Sequence, residues 1–450
     1  MNKLTSAAIL TLCGVLLSDL SFAAVTPQEA AALKTTLTPL GAEKAGNASG
    51  TIPAWSGGVA YKPDPSSVRV PNLFAGDKPV LSISAKNMAQ YADKLSAGQK
   101  AMLTKYPDYR MDVYATQRTA AAPDWVYENT FKNATRSKIA EDGYKIEEAY
   151  GGTPFPLAKS GVEAMWNALL SWQGQANETR FNVWVTTNNG KRFLAGDNGL
   201  QFQQPYYFKN GPLKDYKQEY SLLRIRTDGP PQHAGEAALF RDPIDQIGVG
   251  RQAWAYLAGQ RRTRKLPIAS YDIPSPFNAG VINYDEVYLF YGPMDRYTWK
   301  LVGKKELYVP YNTNQFYQAR KDDEALSERF MNPDHVRWEL HRVWEVEATL
   351  AAGRRHVLPK RTFYLDEDTW IPLLADSVDG REQLKKTALF MPFAAPHVPA
   401  VVPLTFTTYD LQTGEWVTQT YNEKSSQIQF KEPWPDIYFT PDALTGAGVR

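Results

Sequence analysis

The chain has 450 residues, 43% of them apolar, and its 50 basic and 48 acidic side chains leave a formal net charge of +2. Lys and Arg alternate with Asp and Glu along most of its length, which excludes the clustered basic face of a nucleic-acid binder. The single cysteine, Cys13, lies in the N-terminal segment. Removal of that segment leaves no thiol, excluding disulfides, thiolate metal sites and cysteine nucleophiles from the mature protein.

Residues 1–23 run from a basic start at Lys3, through apolar Ala7 to Leu17, to small residues at Ser21 and Ala23. That order predicts a cleaved secretory signal peptide. The apolar stretch is too short to span a hydrocarbon core, which takes roughly 20 residues, and Leu12 before Cys13 is too large for a lipoprotein-type cleavage site. The mature chain, 24–450, is therefore expected in the periplasm. No Gly/Ser or charged run is long enough to act as a domain linker, so it reads as a single domain, with 24–80 an irregular N-terminal strap and 431–450 a C-terminal tail.

Thr26 with Pro27 and Glu29 predicts a capped helix start, and Ser96 with Gln99 and Ser160 with Glu163 repeat the capping box. After Ser160, the apolar positions Val162, Met165, Trp166, Leu169 and Leu170 follow helical spacing. Between the first two of these starts, LTPLGAEKAGNASGTIPAWSGG (37–58) carries at Gly41 and Gly46 the outer spacing of a phosphate-binding loop. Asn47 and Ala48 stand where that chemistry needs Lys and Ser or Thr, and no strand precedes it. It reads instead as a turn-rich strap, fastened through Trp55.

Beyond residue 180 the pattern changes to period two. FNVWVTT at 181, EYSLLRIR at 219, DEVYLFYG at 285, YTWKLVGKKELYVPY at 297, RTFYLDED at 361 and LTFTTYD at 404 predict strands, separated by turns such as TTNNGK at 186 and DLQTGE at 410. The longest, HVRWELHRVWEVEATL from 335, is apolar at Val336, Trp338, Leu340, Trp344, Val346, Ala348 and Leu350, with Arg342 the exception. Its odd positions are mostly polar, which predicts one apolar and one solvated face. Strands in sequence joined by short turns favour antiparallel pairing. The expected fold is mainly β with helices (α+β): a large curved antiparallel sheet or incomplete β-barrel, with the N-terminal helices packed on its concave face.

Catalytic signals are sparse. His335, Glu339 and His341 share the odd face of one strand, a metal-capable spacing, but Arg337, Glu345 and Glu347 beside them fit a solvated face, and no metal or cofactor is assigned. There is no H-E-x-x-H or G-x-S-x-G, and the acidic turn DEDTW at 366 reads as a hairpin tip. The basic run Arg261, Arg262, Arg264 and Lys265 in YLAGQRRTRKLP fits either the cationic outer edge of a strand or contact with an anionic headgroup or an acidic partner surface.

The succession YLAGQRRTRKLP, NYDEVYLFYGPMDRYTWKLVGKKELYVPYN at 283, DHVRWELHRVWEVEATL at 334 and RHVLPKRTFYLDEDTWIPLLADSVDG at 355 resembles a bacterial exported family, domain of unknown function 1329. The glycine-rich strap is similar to that family's N-terminal signature. The middle of the chain also resembles the outer-membrane lipoprotein-sorting (Lol-type) carriers. That resemblance implies an incomplete barrel closing over helices around an apolar cavity for acyl chains. It implies a periplasmic, non-enzymatic binding or carrier protein for a lipid or other hydrophobic molecule, working with an inner-membrane transporter and an outer-membrane protein. The alternative is an assembly component docking on such a partner; a hydrolase of envelope lipid or glycan is a third reading. On the carrier reading, Trp299, Trp338, Leu340, Trp344 and Val346 are the expected cavity-facing residues. Arg342 is expected to meet a headgroup or a buried acid, and Trp55 to serve as lid or strap.

Overall fold

The computed structural model describes residues 25–59, 69–140, 142–211, 218–266 and 269–447, so the expected signal peptide lies outside the described residues. In chain order the elements are α1 (Pro27–Ala31), β1 (Leu81–Ser84), α2 (Ala97–Lys105), β2 (Arg110–Val113), α3 (Asp124–Arg136), β3 (Lys138–Ile139), β4 (Ile146–Glu147) and α4 (Gly161–Leu169). Next come β5 (Ala176–Thr186), β6 (Arg192–Gln203), β7 (Glu219–Gly229), β8 (Ala237–Pro243), β9 (Gln252–Leu257), β10 (Arg262–Lys265) and β11 (Tyr297–Pro310). The chain ends with α5 (Asp322–Ala325), β12 (Trp338–Leu350), β13 (Lys360–Asp366), β14 (Pro372–Val378), β15 (Leu384–Ala395), β16 (Ala400–Asp410), β17 (Trp416–Thr420), β18 (Ile428–Phe430) and α6 (Pro441–Ala447).

The predicted capping boxes form. Thr26, Ser96 and Ser160 each accept from the backbone N–H three residues on, and Glu29, Gln99 and Glu163 return to the cap backbone, starting α1, α2 and α4. Two donors at each helix start are thereby satisfied within four residues of chain.

Sixteen strands form one sheet. Its path runs β1-β2-β12-β13-β14-β15-β16-β17-β5-β6-β7-β8-β9-β10, with β11 added beside β12 and β18 beside β5. The path does not return on itself, so the sheet stays open. Its pairings are antiparallel apart from a single parallel bridge between Trp338 and Val113. Neighbours in sequence such as β5 and β6, or β16 and β17, pair through the short turns read from the sequence.

Both faces of this sheet are covered. On one, Phe181 and Val183 of β5, Leu200 and Phe202 of β6, Leu223 and Ile225 of β7, and Phe406 of β16 point at α4 and at the connection between β10 and β11. On the other face, Leu222 of β7, Leu239 of β8 and Tyr256 of β9 pack under Phe439 and Leu444 of the C-terminal tail. Leu222 and Leu223 are therefore buried on opposite sides. α2 also covers this second side. Asp376 accepts the Gly98 N–H at 2.9 Å and bonds Thr387, both one step out of phase with Lys386, which faces the connection.

Two expectations are corrected. DEVYLFYG is not a strand: Tyr284–Glu286 makes one 3₁₀ turn, and Tyr288 (φ 53°) and Leu289 (φ 63°) are left-handed. The odd face of β12 is not solvated at its start either, since Glu339 and His341 are buried. The segment 114–119 covers them, Thr116 donating to the Leu340 carbonyl and Gln117 N–H to the Glu339 carboxylate.

Candidate functional site

Between the sheet and the layer formed by α4 and the β10–β11 connection lie two adjoining apolar cavities of about 70 and about 60 Å³. Met165, Ala168 and Leu169 of α4 line the first, opposite Phe202, Tyr220, Phe390 and Leu404. Phe181, Leu223, Phe240, Phe277 and Phe406 line the second. Leu200, Tyr288 and Tyr291 line both, so the two tyrosines of the connection divide what is otherwise one chamber. Site-sized pockets run to about 300–1,000 Å³. In the described conformation the connection, residues 271–295, packs into this space like a plug.

The plug is latched to the sheet by buried charge. The Glu286 carboxylate accepts from Lys386 Nζ at 2.9 Å, and that ammonium also donates to the Val281 carbonyl. Asp285 accepts from His356 Nε2 at 2.9 Å and from Arg361 at 3.1 Å, and Arg361 donates again to the Leu289 carbonyl at 2.6 Å. His356 Nδ1 accepts the Leu358 N–H, which puts the imidazole proton on Nε2, toward Asp285. Burial pushes the Asp285 carboxyl up, but the Arg361 charge and the His356 hydrogen bond outweigh it and hold it below its ordinary value. A third tie fixes Tyr291, whose hydroxyl donates to Asp242 at 2.5 Å while the Arg251 guanidinium lies 4.3 Å over its ring. Asp242 pairs with Arg251 at 2.6 Å.

α4 comes close enough to close the chamber because of a glycine. A Cβ at Gly161 would stand 2.6 Å from the Trp299 carbonyl carbon and 2.7 Å from Lys300 N. No side chain fits there.

None of the residues expected on the cavity wall lines either cavity. Trp299 is half-buried beside the chamber, its ring 5.0 Å from Phe290, which does line it. Trp338, Leu340 and Val346 are buried in the core. Trp344 stacks on Trp370, ring planes 6° apart. Arg342 meets a buried acid: its Nε donates to Glu367 at 2.6 Å, and its Nη2 donates to the Glu43 and Ala45 carbonyls. Arg118, not singled out in the sequence, pairs with Asp368 and also donates to the Glu43 carbonyl at 2.7 Å. The two arginines clamp the glycine-rich strap through its backbone oxygens. Trp55 is half-buried and donates to the Ala120 carbonyl at 2.8 Å.

Arg262, Arg264 and Lys265 lie on β10, the last strand of the path, with Arg261 immediately before it. All four are exposed, and among the described residues none pairs with an acid. His335 does not join Glu339 and His341; instead His341 lies with Asp366 and Asp368 of the DEDTW turn. Burial, with Asp368 beside it, pushes the Asp366 carboxyl up to about 6. Only an alignment of the strand with that turn, absent from the one-dimensional pattern, could have paired them.

Residues 82–445 match the family "Protein of unknown function (DUF1329)". The chain belongs to this family. A relative, Uncharacterized protein PA3922 of Pseudomonas aeruginosa, is 38% identical over 447 residues, covering 97% of this chain and 96% of its own. Two solved structures are similar to this DUF1329 chain. A DUF1329 family protein from Desulfovibrio piger has 16% identity and a TM-score of 0.41 over 62% of this chain and 95% of its own. The LolA superfamily protein NE2245 from Nitrosomonas europaea has 13% identity and a TM-score of 0.37 over 64% of this chain and all of its own (100%). Among the described residues no helix is long and apolar enough to cross a membrane.

Proposed function

We propose that this DUF1329 protein is a periplasmic carrier that holds a lipid or other hydrophobic molecule, without chemistry, in the chamber between its sheet and α4. One observation carries the reading: Leu200, Tyr288 and Tyr291 line both cavities, so lifting one plug opens one continuous apolar surface. Each methylene taken out of water contributes about 0.8 kcal/mol. The latch is ionic and the chamber apolar. Displacing the plug therefore breaks a few discrete ties, Lys386 to Glu286, Arg361 and His356 to Asp285, and Tyr291 to Asp242, and leaves the sheet and α4 sides of the wall in place. On this reading loading and unloading are plug movements, driven by an inner-membrane transporter or an outer-membrane protein.

A second reading, docking on an envelope partner, has one observation in its favour: β10 ends the sheet as an exposed edge carrying unpaired Arg261, Arg262, Arg264 and Lys265. An edge with free backbone groups can accept a further strand, and its cations suit an acidic partner or headgroup.

Titration of the mature protein with a fluorescent long-chain fatty acid tests the carrier reading. Saturable binding of one probe per chain, displaced by unlabelled lipid and accompanied by loss of amide protection in 281–294, is the expected result. Absence of saturable binding contradicts it.

A further inference from the structure

We infer that His341, Asp366 and Asp368 form a binding site for one divalent cation of the zinc type, remote in function from the chamber. The ligand atoms these three residues offer all lie within 4.8 Å of one another. The residues are 1%, 0% and 4% exposed. Two ligands of a tetrahedral ion at about 2.1 Å stand about 3.4 Å apart. Coordination would draw the three side chains together to that distance.

The hydrogen bonds around the three residues leave ligand lone pairs unused. Asp366 Oδ2 accepts from Thr369 at 2.6 Å and from Tyr311 at 3.1 Å, whereas its buried Oδ1 has no partner. An unmatched carboxylate oxygen in the interior is costly and calls for a cation or donor. His341 Nε2 lies 3.0 Å from Glu339 Oε2. Glu339 also accepts from Arg337, Asn312 and the Gln117 N–H. That set of donors keeps it an ionised acceptor, places the imidazole proton on Nε2, and leaves the Nδ1 lone pair free. A carboxylate holding the far nitrogen of a ligating histidine is the usual outer-shell arrangement of metal sites. The Tyr311 ring, stacked 3.9 Å away at 24°, fixes the imidazole plane. Asp368 is held by Arg118 through both oxygens, each of which keeps a second lone pair.

The charges agree. Around the group four cations, Arg118, Lys304, Arg337 and Arg342, face six carboxylates, Glu43, Asp77, Glu339, Asp366, Glu367 and Asp368. A divalent ion balances them. One imidazole nitrogen with two carboxylate oxygens suits zinc before calcium or magnesium, which prefer all-oxygen sets. The ion would join β12 to the turn after β13 and, through Arg118, to the strap, so its role is structural.

The test is titration of tag-free, EDTA-treated mature protein with Zn²⁺, followed by calorimetry and thermal unfolding, alongside His341→Gln, Asp366→Asn and Glu339→Gln. One zinc per chain, a melting point raised by several degrees, a loss of at least tenfold in affinity in the first two variants and about tenfold in the third support the site. Absence of stoichiometric zinc, or equal binding in all four proteins, overturns it. So does an Asp366→Asn protein that melts higher than the wild type while neither responds to zinc, the behaviour of a site built around a water or a shared proton. If the variants do not fold, X-ray absorption of the zinc-loaded wild type decides. A nitrogen and oxygen shell with one imidazole supports the assignment, and a shell with none or with several overturns it.

Discussion

Tyr288 and Tyr291 stand edge to face, ring centroids 5.6 Å apart and planes at 84°, and each lines both halves of the chamber. Tyr288 also stacks on Phe390 of the sheet, so the partition is made of apolar contact while its anchorage is ionic. That division of labour separates mutations that free the plug from mutations that reshape the chamber.

Lys386→Met leaves Glu286 buried without its cation. The expected cost is about 3 kcal/mol, because removing one partner of a buried pair strands the other. Amide exchange over 281–294 should accelerate more than exchange in β5–β7. Uniform acceleration across the sheet would show that the plug does not move on its own.

Acid should release the plug only well below neutrality. The Asp285 carboxyl sits below its ordinary value of 3.8. A depressed acid contributes stability that is fully present above the unfolded value and is lost as pH falls through the folded one. The contribution of Asp285 to plug protection, measured by exchange, should therefore persist down to the ordinary carboxyl value and be lost only below pH 3.8. Release at pH 6 would contradict the assignment of Asp285 as the latch.

Much of this fold was legible locally. The capping boxes at Thr26, Ser96 and Ser160 and the strands β11, β12, β13 and β16 follow from residues within a few positions of each other. The plug was not, because DEVYLFYG has the composition of a strand. What bends it are Arg361 and Lys386, 76 and 100 residues further on. Alternation along β12 correctly groups Glu339 with His341 and Trp344 with Val346. It says which residues share a face, not what covers that face, and both faces proved to be covered. The two tryptophans of β12 suggested a cavity wall there, while the chamber formed on β5–β8 and β14–β16, whose Leu, Phe and Val carry no distinguishing signal.

The strap should prove structural. Arg342→Met removes the clamp on the Glu43 and Ala45 carbonyls and one partner of Glu367, which keeps Lys304. A loss of about 2–3 kcal/mol is expected. Trp55→Ala should lower stability by about 1–2 kcal/mol and leave probe affinity unchanged, since Trp55 lines neither chamber cavity. Weakened retention in Trp55→Ala at unchanged stability would make it a lid.

Gly161→Ala forces α4 away from β11, with an expected cost of about 1–3 kcal/mol from overpacking. Denaturant unfolding measures the cost. A neutral result would mean that α4 is free to shift, and that the chamber opens on the helix side instead of at the plug.

The central claim is tested most directly by native mass spectrometry, with organic extraction, of protein purified from the periplasm, beside Leu200→Trp, which fills the point where the two cavities meet. The carrier account predicts one apolar molecule per wild-type chain and none on the variant. A wild-type chain that is always empty, or the same adduct on both proteins, would contradict it.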